Sequence, residues 1–356
     1  MSLPTPRPQV AALPAYVPGA RGGDGPAPIK LSSNESPYGP LPSVVDAIAA
    51  GAAQPHRYPD MAATALHEAL AKACGVQPDA VVAGAGSVAV LAHILQAYTS
   101  GGDEVVFAWR SFEAYPILTA IAGASAVKVP LTADARHDLD AMADAITERT
   151  KVVLVCSPNN PTGPSVGAAE FASFMDRVPR NVLVVLDEAY GEYVRDPASV
   201  SGDQLIGRYP NLLILRTFSK AYGLAGMRVG YVIGPSQLLA PIRAVVTPFS
   251  ITEVAQSAAI ASLAAQDELL ERVEETVTER DRVLDALRAA GWDVPDADGN
   301  FVWLPAGERT ADIVAVLGAL PTPILVRPFV GEGIRITIGN PEDNGELIAA
   351  LGDVST

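Results

Sequence analysis

Apolar residues along this chain fall into short, nearly unbroken runs separated by amphipathic stretches. Seven runs stand out between about residues 31 and 245: AVVAG (80–84), EVVFA (104–108), SAVKV (125–129), KVVLVC (151–156), NVLVVLD (181–187), NLLILR (211–216) and VGYVIG (229–234). Val, Ile and Leu dominate them with little polar alternation, which is the pattern of strands covered on both faces in a mostly parallel sheet. Between the runs lie amphipathic segments such as 138–148 and 167–177. Alternating strand and helix predicts a doubly wound α/β sheet that binds ligands at the carboxyl ends of its strands.

The texture changes after TPFS (247–250). Residues 252 to 290 read as almost continuous helix, closed by Gly291 in the position of a left-handed cap. Strand patterns return at NFVWL (300–304), ILVR (324–327) and GIRITIG (333–339), with helical stretches between and after them. This predicts a large domain over 31–248 and a smaller α/β domain over 249–356. Residues 1–30 are rich in proline, which fixes φ and donates no N–H, so they read as an extended arm suited to packing on a partner subunit.

Composition narrows the function. The chain has 356 residues, 49% apolar and 18% charged, enough for two cores. Its formal net charge is −15, and no basic stripe exists to neutralise phosphates, which argues against nucleic acid or an anionic membrane as partner. Two cysteines, Cys74 and Cys156, form no CxxC pair, and the four histidines lack metal-ligand spacing, so neither a disulfide framework nor a metal site is expected. With no signal-peptide pattern and no apolar run of about 18 residues, the expected setting is the cytoplasm.

The candidate chemistry sits at predicted strand ends. SPNNPTG (157–163) follows one strand, DEAY (187–190) closes the next, and TFSK (217–220) follows a third. Each has an ordinary reading alone: a turn, a helix N-cap, a solvated surface lysine. Together, at the ends of strands in one open sheet, they converge on one crevice. An Asn, an Asp, a Tyr and a Lys meeting there suit a lysine Schiff base to pyridoxal phosphate. Lys220 would hold the aldehyde, the carboxylate of Asp187 would keep the pyridine nitrogen protonated, and an amide and a phenol could hydrogen-bond the ring oxygen. Ser219 and Arg228 flank the lysine, and GAGSVAVLAHIL (84–95) offers a glycine turn opening a helix, an anion site.

LPAYVPG, SSNESPYGP, HRYPD, SPNNPTG, DEAYGEY, TFSKAYGLAGMRVGY and GIRITIG occur in this order over nearly the whole chain. In this the chain resembles the fold-type I pyridoxal-phosphate aminotransferases, and among them the histidinol-phosphate aminotransferase family. The resemblance implies a fold-type I transferase with a mostly parallel seven-stranded sheet, a homodimer, and pyridoxal 5'-phosphate as cofactor. It implies Lys220, Asp187 and Tyr190 as catalytic residues. Ser87, Val88, Phe112, Asn160, Thr217, Ser219 and Arg228 would join them around the cofactor, with Tyr58 reaching the phosphate of the neighbouring subunit. Arg335 matches the clamp for the substrate α-carboxylate, and Tyr16, Asn34, Asn160 and Arg327 fall at substrate-side positions.

Substrate choice is the open point. FAWRSFEAYP (107–116) and ILVRPF (324–329) look more like the branch of the family that acts on aromatic amino acids. Trp109 and Phe112 would then shape an apolar pocket. Arg327, helped by Arg21 or Arg110, would suit a substrate phosphate or the distal carboxylate of 2-oxoglutarate. The expectation is ping-pong transfer from Phe, Tyr or Trp to 2-oxoglutarate. The alternatives are histidinol phosphate as donor and a decarboxylase using the same cofactor residues. A DNA-binding regulator on this fold would need a helix-turn-helix that the arm does not supply.

Overall fold

A computed structural model describes residues 3–13 and 27–354. Seven strands, β1 (Val81–Gly84), β2 (Glu104–Trp109), β3 (Ser125–Pro130), β4 (Thr150–Cys156), β5 (Leu183–Asp187), β6 (Leu212–Thr217) and β7 (Gly230–Ile233), form one sheet in the order β1-β7-β6-β5-β4-β2-β3. Only β7 runs against its neighbours in this sheet; the other pairings are parallel. Each expected strand is present, shifted by no more than a residue or two at its ends.

The apolar runs are explained by where alternate side chains go. In β5, Leu183 and Val185 enter the core shared with the helix α3 (Ser87–Tyr98), while Val184 and Leu186 enter a second core on the other sheet face. All five residues of β5 are buried. A strand with two covered faces has no polar positions to spare, and each fully buried Val or Leu contributes roughly 1.5–3 kcal/mol.

The second unit is a three-stranded antiparallel sheet of β8 (Phe301–Leu304), β9 (Arg327–Phe329) and β10 (Gly333–Thr337), with β10 in the middle. The division between the cores differs from the expected boundary at 248/249. The helix Glu253–Ala264 packs with the helices α1 (Pro42–Gly51) and α2 (Thr64–Cys74) in a large-domain core. The next helix, Gln266–Ala289, buries Leu269, Val273 and Val277 in that core, and Val283, Leu284 and Leu287 in the small one. The hand-over therefore lies inside this helix, about 30 residues later than a reading of texture places it. The expected continuous helix is interrupted at Ala265, with φ −108° and ψ 30°. No glycine or proline marks that break, and the residues on both sides of it pack in the same large-domain core. Gly291 does take the left-handed cap, at φ 89°.

The segment expected to close the arm belongs to the small unit. Ile29 and Lys30 pair in parallel with Ile324 and Leu325, and Leu31 sits in the small core. Ser32 and Ser33 then line the cleft between the two units.

Candidate active site

Three walls enclose the cleft: the carboxyl ends of the large sheet's strands, residues 32–33, and one face of the small sheet. Its open space is about 220 Å³, suited to small molecules. Lys220 lies just beyond β6, in a turn held by Phe218 N–H to Val229 O at 3.0 Å and Ser219 N–H to Thr217 Oγ1 at 3.1 Å. Its Nζ donates to Asn34 O at 3.2 Å and, less closely, to Ser33 O at 3.4 Å. Burial, with the nearby Arg335 and Arg228 cations, lowers the amine to about 7, Glu35 opposing them. A neutral, nucleophilic amine is thus available near neutral pH.

Asp187 ends β5 and is 5% exposed. Burial raises its carboxyl to about 6. Both its oxygens accept from neutral donors: Oδ2 from the Tyr115 hydroxyl at 2.7 Å and Oδ1 from Ala189 N–H at 3.2 Å. A buried carboxylate so placed fits a cation, such as a protonated ring nitrogen. Tyr115 was missed by the sequence reading. It lies on the helix α4 (Ala114–Ala122), fully buried, where an aromatic in an apolar pattern reads as core. Phe112 lines the cleft beside it, edge to face with Tyr115 at 5.6 Å between centroids.

The other end of this wall suits an anion. The first turn of α3, at Ser87 and Val88, presents N–H groups that no helical carbonyl can take up. Arg228 Nη1 donates to Ser219 Oγ at 3.2 Å. Gly86, at φ 90°, is required here: a Cβ would stand 2.5 Å from Arg228 Nη2. A methyl group at that point would fill the space between helix start and guanidinium. Gly230 is also demanded by close approach, since a Cβ on it would meet Ser87 N at 2.2 Å.

Across the cleft, Arg335 on β10 donates from Nη1 to Asn160 Oδ1 at 2.7 Å and from Nη2 to Ser32 O at 3.0 Å. It thereby links the SPNN loop after β4 to the small sheet. Arg327 on β9 is its direct cross-strand partner, and pairs with Glu113 Oε2 at 2.7 Å. Glu113 is a second residue the sequence reading missed, because an acid before a helix reads as a helix-dipole partner.

Tyr190 is buried, and burial pushes its phenol well above the usual range. It accepts a hydrogen bond from Asn34 Nδ2 at 3.0 Å. Asn34 is 0% exposed, and its Oδ1 takes the Thr337 hydroxyl at 2.9 Å. It stands behind the cleft wall and ties Tyr190 to β10. Trp109 also lies outside the cleft lining: its ring is covered by Lys128 Nζ at 4.2 Å and the Arg110 guanidinium at 4.4 Å. Arg110 in turn forms an ion pair with Glu332. The apolar lining comes instead from Phe112 and Phe329. Tyr58 is 82% exposed and stacks on Phe249, away from this chain's own cleft. Tyr16 and Arg21 lie outside the described residues.

This arrangement was compared with known proteins. The chain is 54% identical over 339 residues to an aromatic amino acid aminotransferase of Thermobifida fusca, covering 95% of this chain and 93% of that one. It is 52% identical over 339 residues to the protein of that name from Streptomyces coelicolor, covering 95% and 94%. The structure superposes with a TM-score of 0.89 on a histidinol-phosphate aminotransferase from Sinorhizobium meliloti crystallised with pyridoxal-5'-phosphate, at 29% identity over 99% of this chain and 98% of that one. The family model for aminotransferase class I and II matches residues 26–351, so a lysine, a buried aspartate and an anion-binding helix start stand together here because this chain belongs to the class I and II aminotransferases.

Proposed function

We propose that the protein transfers the amino group of aromatic amino acids to 2-oxoglutarate with pyridoxal 5'-phosphate as cofactor. The observation that carries the cofactor is the pairing, in one cleft, of a half-buried lysine with a buried carboxylate that has only neutral donors on its oxygens. The donor set fits the group from end to end. Lys220 would hold it covalently at rest, Asp187 would face its ring nitrogen, and Asn160 and Tyr190 would face its ring oxygen. The start of α3, Ser219 and Arg228 would take its phosphate, and Phe112 would cover the ring.

The cofactor supplies a carbonyl carbon for the amino group and a ring that draws electrons away from the substrate Cα. The chain's own residues do the rest. Arg335 orients the substrate through its α-carboxylate, matched bidentately by a planar guanidinium. Lys220 Nζ, with a substantial neutral fraction near pH 7, would take the proton from the substrate Cα and pass it on from the same face as general base and then acid. Asp187 would hold a proton on the ring nitrogen. Tyr115 fixes the orientation of that carboxylate. Donor and acceptor use the same cleft in turn, since one half-reaction leaves the amino group behind and the other removes it.

Three observations support an aromatic donor. The relatives above, at 52% and 54% identity, carry that name. Phe112 and Phe329 line the substrate end. Two arginines expected to hold a substrate phosphate, Arg327 and Arg110, are each paired with a carboxylate, Glu113 and Glu332. A phosphate held by both would have to displace two acids, whereas a distal carboxylate on Arg327 has only Glu113 to displace. Steady-state rates with phenylalanine, tyrosine and histidinol phosphate at equal 2-oxoglutarate test the reading. The expected result is kcat/KM at least about 10-fold higher for an aromatic donor, from roughly 1.5–3 kcal/mol of ring burial. A 10-fold preference for histidinol phosphate would refute it.

A second copy of the chain completes this reading. Tyr58, Met61 and Phe249 are 82%, 62% and 41% exposed, an apolar cluster suited to a subunit contact. In the proposed dimer Tyr58 serves the partner's phosphate site. Sedimentation showing an active monomer at assay concentration would remove it.

A further inference from the structure

Arg327 and Arg335 lie directly opposite each other on β9 and β10, so they share one face of the sheet, the face that lines the cleft. Like charges in that register repel, and each needs compensation. The two are compensated differently. Arg335 is met by neutral acceptors, Asn160 Oδ1 and Ser32 O. Arg327 is met by a full carboxylate, Glu113 Oε2 at 2.7 Å.

The partners in that pair are also unequal in exposure. The Arg327 side chain is 9% exposed and that of Glu113 is 30% exposed. Arg327 is fixed in the small sheet with Phe329 beside it, its guanidinium carbon 5.8 Å from the ring centroid. Glu113 comes from the opposite wall, at the residue preceding α4, and its side chain makes no capping bond to that helix. Glu113 is therefore the partner closer to water, and Arg327 the more enclosed one.

We propose that Glu113 is a specificity-determining residue: a displaceable internal carboxylate that occupies Arg327 while an aromatic side chain is in the cleft, and yields it to the distal carboxylate of the acceptor. This rests on the donor and acceptor reading given above. With a ring bound, the ligand offers nothing to balance Arg327, and Glu113 keeps a buried cation from standing unpaired. With a dicarboxylic 2-oxo acid bound, the distal carboxylate takes Arg327 and Glu113 turns outward. Glu113 thus helps one half-reaction and competes in the other, so removing its charge changes the two affinities in opposite directions.

The test uses the cofactor-loaded enzyme and Glu113→Gln. Two unreactive probes, glutarate and 3-phenylpropanoate, each offer one carboxylate to Arg335 and differ at the other end. Calorimetric titration of the variant should show glutarate binding about 5- to 10-fold tighter and 3-phenylpropanoate about 3- to 10-fold weaker. KM for 2-oxoglutarate and phenylalanine should follow the same signs. In Arg327→Gln, glutarate should lose about 30-fold or more while 3-phenylpropanoate stays within about 3-fold. Both probes weakening together in Glu113→Gln, or a ratio unchanged within twofold, would overturn the proposal. If phenylalanine proves a poor donor for the wild type while the probes still move in opposite directions, the donor assignment fails and the role of Glu113 stands.

Discussion

The two ends of the cleft are built in different ways. At the end expected to hold the cofactor, every group comes from the carboxyl edge of one sheet: the start of α3 after β1, Asn160 after β4, Asp187 on β5, Lys220 after β6 and Arg228 before β7. Their relative positions follow from strand order, and Asp187 and Arg228 bond within the large domain, while Lys220 also reaches Ser33 O and Asn34 O and Asn160 accepts from Arg335. At the substrate end the groups come from separate places. Arg327 and Arg335 belong to the small sheet, Ser32 to the cleft-lining segment and Glu113 to the approach to α4. Each contact there joins two bodies of the fold. The first end is preset by one core, and the second depends on how two cores meet. Substitutions at the first end should therefore damage chemistry with any substrate, and those at the second should change which substrate is used.

The largest effect belongs to Lys220. Lys220→Ala should lower turnover on the order of 10⁴-fold with every donor, because both covalent attachment and proton transfer go. The absorbance of the lysine–cofactor linkage should vanish, while equilibrium dialysis should still find cofactor held at the phosphate end. A variant that keeps near-normal rates would break the assignment and the contrast built on it.

Asp187→Asn should lower kcat about 10²-fold or more, again without changing donor preference. Its carboxyl also gives a measurement independent of activity. In the cofactor-free chain burial holds it at about 6, above the roughly 3.9 of an unfolded aspartate. The folded state thus binds the proton more tightly, so wild-type stability falls as pH rises from about 4 to 6 and stays lower above that. The variant lacks this slope. At pH 8 the cofactor-free Asp187→Asn protein should be more stable than wild type, by about 1–3 kcal/mol in denaturant titrations. Parallel stability curves across that window would mean the carboxyl is not held in this state.

The same contrast accounts for what could be read beforehand. All seven large strands were legible because each is a run with two covered faces, and strand-end motifs were legible because topology carries them to one edge. Lys220, Asp187, Asn160 and Arg335 were therefore found, and the structure brings them into one cleft. Asn34 was assigned to the substrate side, yet its side chain spans Tyr190 and Thr337, more than 150 residues away in each case. Glu113 and Tyr115 were passed over, since the partner of each lies on another element. The core packing divides elsewhere than the expected boundary at 248/249 for a related reason. One helix serves two cores, and composition does not register the change of partner.

Tyr115→Phe should have a smaller effect, about 3- to 10-fold on kcat, from one hydrogen bond to a charged group. A purely structural role would alter stability and leave the pH profile in place. Orientation of Asp187 instead predicts a shifted pH dependence of the absorbance at the lysine–cofactor linkage, with donor preference unchanged. An unmoved profile would reduce Tyr115 to core packing.

The smallest expected effect is at Trp109, where sequence and structure disagree about substrate. If Trp109 formed the aromatic pocket, Trp109→Leu would cost ring-binding energy, up to about 10- to 100-fold in kcat/KM for phenylalanine relative to an aliphatic donor. In the structure its ring lies between Lys128 and Arg110, next to Phe107, outside the cleft lining. The substitution should then leave the phenylalanine-to-leucine preference within about twofold. The lost contacts should appear as lower stability, about 1–2 kcal/mol, because Lys128 and Arg110 lose a face to rest on. Phe112→Leu serves as the matched comparison from inside the cleft, and it should change the preference where Trp109→Leu does not. Equal changes in preference from both would place Trp109 in the pocket after all, and would blur the line between the two ends of the site.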